Sequence, residues 1–120
     1  YSPLTLAFLG DSVYEQLVRE KLVLEANMPV GKLHVYAVKR VRANFQSKAF
    51  DVITPILTEE ETTIMKRGRN ATGNTVPKSS TPVEYRRATA LECLFGYLYL
   101  KGETQRIQEL FEIIWKIEVE

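Results

Sequence analysis

The chain has 120 residues, 45% of them hydrophobic, and a formal net charge of +1, so its length and composition fit one compact domain. We predict a single domain over residues 1–120. The only cysteine, Cys93, excludes an internal disulfide and indicates a reducing compartment. No apolar run approaches the roughly 18 residues that span a bilayer, and no leader precedes Tyr1. We therefore expect a cytoplasmic protein without a membrane segment.

The first predicted helix begins with Ser2 as N-cap and Pro3 in its first turn, and it continues to about Glu25. Within it, Glu15 and Arg19 form a favourable i,i+4 pair. The break that follows contains a proline and a glycine, which separate this helix from the next one.

A second helix is predicted over residues 32–53, where apolar side chains recur at helical spacing until Pro55. Thr58, with Glu61 three residues later, forms a capping box for a short helix that runs to about Arg67. No strand signal competes with these segments. The sequence therefore predicts helices through the first half of the chain.

Residues 70–82 combine Gly, Asn, Thr, Ser, Lys and Pro without periodicity, which predicts a loop. A helix follows over residues 83–100, then a break at Lys101 and Gly102, and then a last amphipathic helix. The expected fold is an all-α bundle of about five helices.

Charge is unevenly distributed along the chain. Basic residues dominate residues 26–58 and 62–83, whereas acidic residues gather at residues 59–61 and from Glu103 onward. A fold that brings the basic segments to one side would present a positive face to a polyanion. The alternative for either segment is a solvated helix face without a partner.

Two carboxylates stand inside apolar helical runs: Asp11 within residues 4–14 and Glu92 within residues 88–100. Burial of an ionised carboxylate costs several kcal/mol unless positive charge meets it. If helix packing brings the two together, they form a hard-oxygen site suited to Mg²⁺. The alternatives are a structural bond from Asp11 to a helix end or an arginine, and an ion pair of Glu92 with Arg86 or Arg87.

The stretch Leu6-Ala7-Phe8-Leu9-Gly10-Asp11-Ser12-Val13 resembles the signature of the ribonuclease III family, usually Leu-Glu-Phe-Leu-Gly-Asp-Ser/Ala-Val. Residues 88–100 resemble the second acidic stretch of that family. Together with Arg67-Gly68-Arg69-Asn70-Ala71 and Tyr85-Arg86, the pattern is most similar to the Mini-III subfamily, which consists of the catalytic domain alone.

This resemblance implies a ribonuclease III-type helical endonuclease domain, homodimeric, that cleaves double-stranded RNA with Mg²⁺ and leaves 5′-phosphate and 3′-hydroxyl ends. It assigns catalytic and metal-binding roles to Asp11 and Glu92. The other two acidic positions of the family fall at Ala7 and Thr89, a departure that is also a mark of the Mini-III subfamily. We expect the Thr89 hydroxyl to have a packing role rather than to bond a metal-bound water.

The resemblance further implies that the substrate is precursor 23S ribosomal RNA, with ribosomal proteins on that precursor as further partners. Double-stranded RNA is recognised mainly through shape, phosphates and 2′-hydroxyls, which suits basic side chains spread over a dimer. The predicted RNA contacts are Lys48, Lys66, Arg67, Arg69, Asn70, Lys78 and Arg86. The loop over residues 70–82 either reaches a groove of the RNA or is a connector without contacts.

Two other function classes remain open at this point. One is a catalytically silent RNA-binding or ribosome-associated module of the same fold, for which the absent carboxylates argue. The other is a helical protein-interaction domain, which leaves the basic segments unexplained. We expect neither His34 nor Cys93 to take part in chemistry, since the cysteine lies in an apolar segment.

Overall fold

The computed structural model describes residues 1–71, 78 and 80–120, and within them the chain folds into helices and connecting turns without a strand. The helices are α1 Pro3–Glu25, α2 Val30–Val41, α3 Ala43–Ile53, a 3₁₀ turn Thr54–Ile56, α4 Glu59–Asn70, α5 Pro82–Leu100 and α6 Thr104–Trp115. The all-α prediction is confirmed. None of the described helices is long and apolar enough to cross a membrane.

Helix α5 lies at the centre of the bundle, with α1, α3 and α4 packed around it. It is apolar on nearly every side, which is the pattern of a helix enclosed by others. Ala90, Leu91, Leu94 and Phe95 are completely buried. Cys93 is buried as well, and burial raises the pKa of its thiol to about 11, so it acts as a small core side chain.

Helices α1 and α5 cross with their backbones in contact at Gly10 and Gly96. A methyl group on Gly10 would overlap the carbonyl oxygen of Glu92, and one on Gly96 would overlap the carbonyl oxygen of Leu6. Glycine is required here because its missing Cβ lets the two backbones touch. Asp11 follows Gly10 directly, so the crossing brings it next to Glu92.

The prediction of one helix over residues 32–53 is wrong, because the chain turns at Arg42. Its backbone is extended (φ −72°, ψ 155°), which ends α2 and begins α3. Neither proline nor glycine marks the break, so periodicity gave no sign of it. The Gln46 side-chain amide donates to the carbonyl of Val41 at 2.7 Å, which satisfies a carbonyl that the end of α2 leaves free.

The end of α2 is fastened to α1 and α6 through Arg40. The Tyr14 hydroxyl donates to the Arg40 carbonyl at 2.7 Å. The Arg40 guanidinium lies 3.6 Å from the centre of the Trp115 ring and donates to the Trp115 carbonyl at 3.1 Å. Trp115 in turn donates to Glu25 at 3.3 Å, so three helices meet at this point.

The predicted capping box is present in the structure, whereas the predicted helix ends differ by a few residues. Thr58 and Glu61 form the predicted capping box, and α4 then continues three residues beyond the predicted end to Asn70. A second capping box, between Thr81 and Glu84, starts α5 one residue earlier than predicted. Ser2 makes no side-chain hydrogen bond as N-cap. Most of the predicted loop over residues 70–82 lies outside the described residues.

Glu61 also joins α4 to α6 through Arg106, and we expect Glu61→Gln to lower the free energy of unfolding. The carboxylate is buried, and Arg106 donates to both of its oxygens at 2.8 Å. These bonds hold the pKa of Glu61 below its usual value of 4.5. Loss of charge-assisted bonds to a buried group costs about 2–3 kcal/mol, measurable by urea unfolding at pH 7.

Because the folded-state pKa of Glu61 is lowered, its stabilisation is present above pH 4.5. The stabilisation declines as the pH falls through the folded-state pKa. The stability difference between the native protein and Glu61→Gln should therefore shrink in acid. Glu59→Gln is the matched control, since this exposed glutamate lies in the same helical turn. Equal losses in the two variants would contradict the role of the Arg106 pair.

Candidate active site

The crossing of α1 and α5 brings the two predicted site carboxylates together. Asp11 lies close enough to Glu92 that its charge acts on the Glu92 carboxyl. The expectation that both are buried is wrong for Asp11, which is exposed, whereas Glu92 is half-buried. Gly10 faces α5 and is buried, whereas the next residue, Asp11, lies on the solvent side of α1.

The pKa of Glu92 is raised to about 8, first by burial and then by repulsion from Asp11. Gln46 acts in the opposite direction and favours the ionised carboxylate. The alternative of an ion pair with an arginine does not hold, because Arg87 pairs with Asp51 at 2.9 Å and Arg86 is exposed. Near neutral pH the Glu92 carboxyl therefore holds a proton when no cation is bound.

An open cleft between the start of α3 and the middle of α5 leads to Glu92. The side chains that line it include Val41, Asn44, Gln46, Tyr85, Thr89 and Glu92. Thr89 is buried, and its hydroxyl donates to the Tyr85 carbonyl of the preceding turn at 3.0 Å. This bond uses the hydroxyl proton within α5, and the packing role of Thr89 stays a prediction.

The donor set fits a hard divalent cation that keeps most of its water. Asp11 and Glu92 supply carboxylate oxygens, and nothing positive neutralises them in the contacts described above. No group of three or more His, Cys, Asp or Glu side chains suited to a metal occurs among the described residues. Mg²⁺ is commonly held in this way, by one or two carboxylates together with substrate phosphates.

Four of the predicted RNA-binding residues lie at the C-terminal end of α4: Lys66, Arg67, Arg69 and Asn70. This end packs tightly on α5, because a methyl group on Gly68 would lie 2.7 Å from Cys93 Cβ and 2.9 Å from Ala90 Cα. The glycine thus fixes the backbone of this end of α4 against the turn of α5 that contains Glu92, while the Arg67 side chain donates to the Tyr1 carbonyl at 3.4 Å. Lys66, Arg67 and Asn70 are exposed.

The other predicted RNA-binding residues are spread over the bundle. Lys48 lies on α3 and forms an ion pair with Glu120 at 2.7 Å, which separates it from the α4 group. Lys78 is exposed, and Arg86 is exposed on α5. The structure therefore gathers the predicted basic residues only in part.

Gln46 belongs to the site but was not predicted from the sequence. It is 2% exposed and lies on α3 at the start of a core-facing series with Ala49, Phe50 and Ile53. A polar residue at the i position of an apolar i, i+3, i+4, i+7 series is the signal that could have revealed it.

Comparison with known proteins identifies the class to which this fold and site belong. The family model described as Ribonuclease III domain matches residues 4–103. A crystal structure of a Fusobacterium nucleatum protein superposes with a TM-score of 0.91 at 36% identity, covering 98% of this chain and 95% of that one. The fold is therefore that of a ribonuclease III domain.

Two similar proteins indicate the subfamily within this class. Mini-ribonuclease 3 of Symbiobacterium thermophilum is 44% identical over 110 residues, 92% of this chain and 85% of that protein. Mini-ribonuclease 3 of a Thermoanaerobacter species is 46% identical over 112 residues, 93% of this chain and 79% of that protein. The chain belongs to the ribonuclease III family and, within it, to the Mini-ribonuclease 3 group. It is an endoribonuclease, which confirms the predicted enzyme class.

Proposed function

We propose that this endoribonuclease cleaves double-stranded RNA with Mg²⁺ held by Asp11 and Glu92, and that its task in the cytoplasm is the maturation of precursor 23S ribosomal RNA ends. The observation that carries the site assignment is the pair of adjoining carboxyl groups, one of which has its pKa raised to about 8. Such a pair is costly unless a cation meets it. The ribosomal RNA substrate, and ribosomal proteins as partners on it, rest on the Mini-III resemblance.

Each residue has a distinct task in this proposal. Asp11 is exposed and binds the cation from the solvent side, whereas half-buried Glu92 fixes the position of that cation against the protein. When bound, Mg²⁺ stabilises the charge that develops on the phosphodiester and makes water a stronger nucleophile. RNA phosphates supply the ligands that two carboxylates leave open.

The basic end of α4 is the proposed contact for the RNA backbone. Arg67 and Arg69 flank Gly68, which packs on the turn of α5 that contains Glu92, so this end of α4 borders the same part of the bundle as the carboxyl pair. Contacts of this kind are electrostatic and independent of sequence, so binding should weaken steeply with salt.

A homodimer completes the proposal, since cleavage of both antiparallel strands needs two sites related by a two-fold axis. Helix α1 offers the contact surface. Phe8 is 84% exposed and Leu4 43% exposed, and both precede Asp11 on that helix. Large apolar side chains at a helix surface favour burial against a second copy.

We expect Asp11→Asn to reduce cleavage of a long RNA duplex by at least about 100-fold at saturating Mg²⁺, because the neutral amide is a weak metal ligand. Cleavage is followed on gels with duplex RNA, matched single-stranded RNA and matched duplex DNA, each with Mg²⁺ or EDTA. Glu20→Gln, an exposed change on the same helix, is the control and should leave the rate unchanged. Duplex RNA that is bound but not cut under any metal condition would contradict the proposal and favour the silent RNA-binding module.

A further inference from the structure

The Gln46 side chain is buried beside Glu92 with one of its two polar atoms unused. Its Nε2 donates to the Val41 carbonyl at 2.7 Å, whereas its Oε1 has no hydrogen-bond partner among the described residues. The amide cannot be turned over, because Oε1 would then oppose the Val41 carbonyl, and two acceptors repel. The carbonyl end of this side chain is therefore fixed away from Val41.

A buried acceptor without a donor costs about 1–3 kcal/mol, so its presence in the core of a small domain needs a reason. The neighbouring hydroxyl does not supply the donor, because Thr89 Oγ1 already donates to the Tyr85 carbonyl at 3.0 Å. Gln46 lines the cleft that leads to Glu92. A ligand that carries hydrogen-bond donors into this cleft would satisfy Oε1.

The hydration shell of a divalent cation at the carboxyl pair has the required chemistry. Mg²⁺ keeps several water molecules when it binds through one or two carboxylates, and each of them is a strong donor. Groups that hydrogen-bond to metal ligands or their water typically change metal affinity by 10- to 100-fold when they are removed.

We propose that Gln46 is a positioning residue of the metal site: its Nε2 is anchored on the Val41 carbonyl, and its Oε1 accepts a hydrogen bond from water around the cation. This inference rests on the proposed function, because it requires a cation at Asp11 and Glu92. The turn at Arg42 makes the arrangement possible, since it frees the Val41 carbonyl that anchors the amide. Glutamine suits the position because it is a neutral acceptor that adds no repulsion to the carboxyl pair.

The test measures Mn²⁺ binding to the RNA-free protein by electron paramagnetic resonance, together with the Mg²⁺ concentration at half-maximal cleavage of duplex RNA. Gln46→Met fills the same volume without polar atoms, and Gln46→Asn keeps an amide that is one methylene shorter, in case the first variant folds poorly. Ser47→Ala is the matched control, because Ser47 is also buried on α3. Duplex binding is measured in EDTA.

We expect both Gln46 variants to weaken Mn²⁺ binding about tenfold or more and to raise the required Mg²⁺ in parallel, with duplex affinity in EDTA unchanged. Ser47→Ala should match the native protein. Native-like Mn²⁺ affinity in the Gln46 variants, or an equal loss in Ser47→Ala, would overturn the inference while leaving the proposed function intact. Absence of Mn²⁺ binding by the native protein and by Asp11→Asn alike would instead overturn the proposed metal site, and this inference with it.

Discussion

Gly10→Ala should destabilise the protein by about 3 kcal/mol or more and abolish cleavage, because the added methyl would overlap the carbonyl oxygen of Glu92. The obstacle is backbone, so no side chain can rotate to make room. Helices α1 and α5 would have to separate at the point where Asp11 meets Glu92. Since small domains are stable by only about 5–15 kcal/mol, the loss is readily measured by urea unfolding.

Gly31→Ala is the matched control for this change. Gly31 lies within α2, and a Cβ at that position meets no atom within 4 Å. Alanine is favoured over glycine inside a helix, so this variant should gain about 0.5–1 kcal/mol and keep full activity. If the two variants unfolded at similar urea concentrations, close backbone contact at Gly10 would not be required for stability.

Glu92→Gln should move stability and activity in opposite directions when the protein is free of metal. Cleavage should fall by about 100-fold or more, because the variant loses a carboxylate ligand. Stability at pH 8 should rise by about 1–3 kcal/mol, because a neutral amide avoids burial of charge and repulsion from Asp11. Thermal unfolding in EDTA at fixed protein concentration measures the second effect.

The pH dependence of this gain has a definite sign. The pKa of Glu92 rises from 4.5 in the unfolded chain to about 8 in the folded protein. Between these values the folded state holds more protons than the unfolded state, so the stability of the native protein falls as the pH rises. The advantage of Glu92→Gln should therefore grow from pH 5 to pH 8.

Glu118→Gln serves as the control, because this glutamate is exposed near the end of the chain. It should follow the native protein at every pH. Addition of Mg²⁺ should stabilise the native protein and close most of the gap to Glu92→Gln. A Glu92→Gln variant that is less stable than the native protein at pH 8 would show that the Glu92 carboxylate does not destabilise the folded protein.

The contact of the two site helices could be anticipated from the sequence because its parts are local patterns. Asp11 and Glu92 stand out as charges within apolar runs, with Gly10 directly before Asp11 and Gly96 four residues after Glu92. What the pattern could not give is exposure: Asp11 lies in an apolar run, yet its side chain is exposed. An apolar segment predicts burial, but it does not show whether its own chain or another molecule covers it.

The turn at Arg42 and the role of Gln46 were beyond prediction for a related reason. No proline or glycine interrupts residues 32–53, so the helical pattern continues through the turn. The turn arises from tertiary contacts: α2 packs on α1, whereas α3 packs on α5 and α6. Long-range packing of this kind overrides local preference, and the position of Gln46 beside Glu92 follows from it.

The fastening of α2 by Trp115 bears on where this protein can be shortened. The family match ends at residue 103, one residue before α6 begins at Thr104. A chain cut to the matched region would lose the buried Leu110 and Phe111 and leave Arg40 without its aromatic partner. The segment that the family model matches is thus shorter than the unit that folds, and trimming the chain to it should unfold the nuclease although α6 supplies neither site carboxylate.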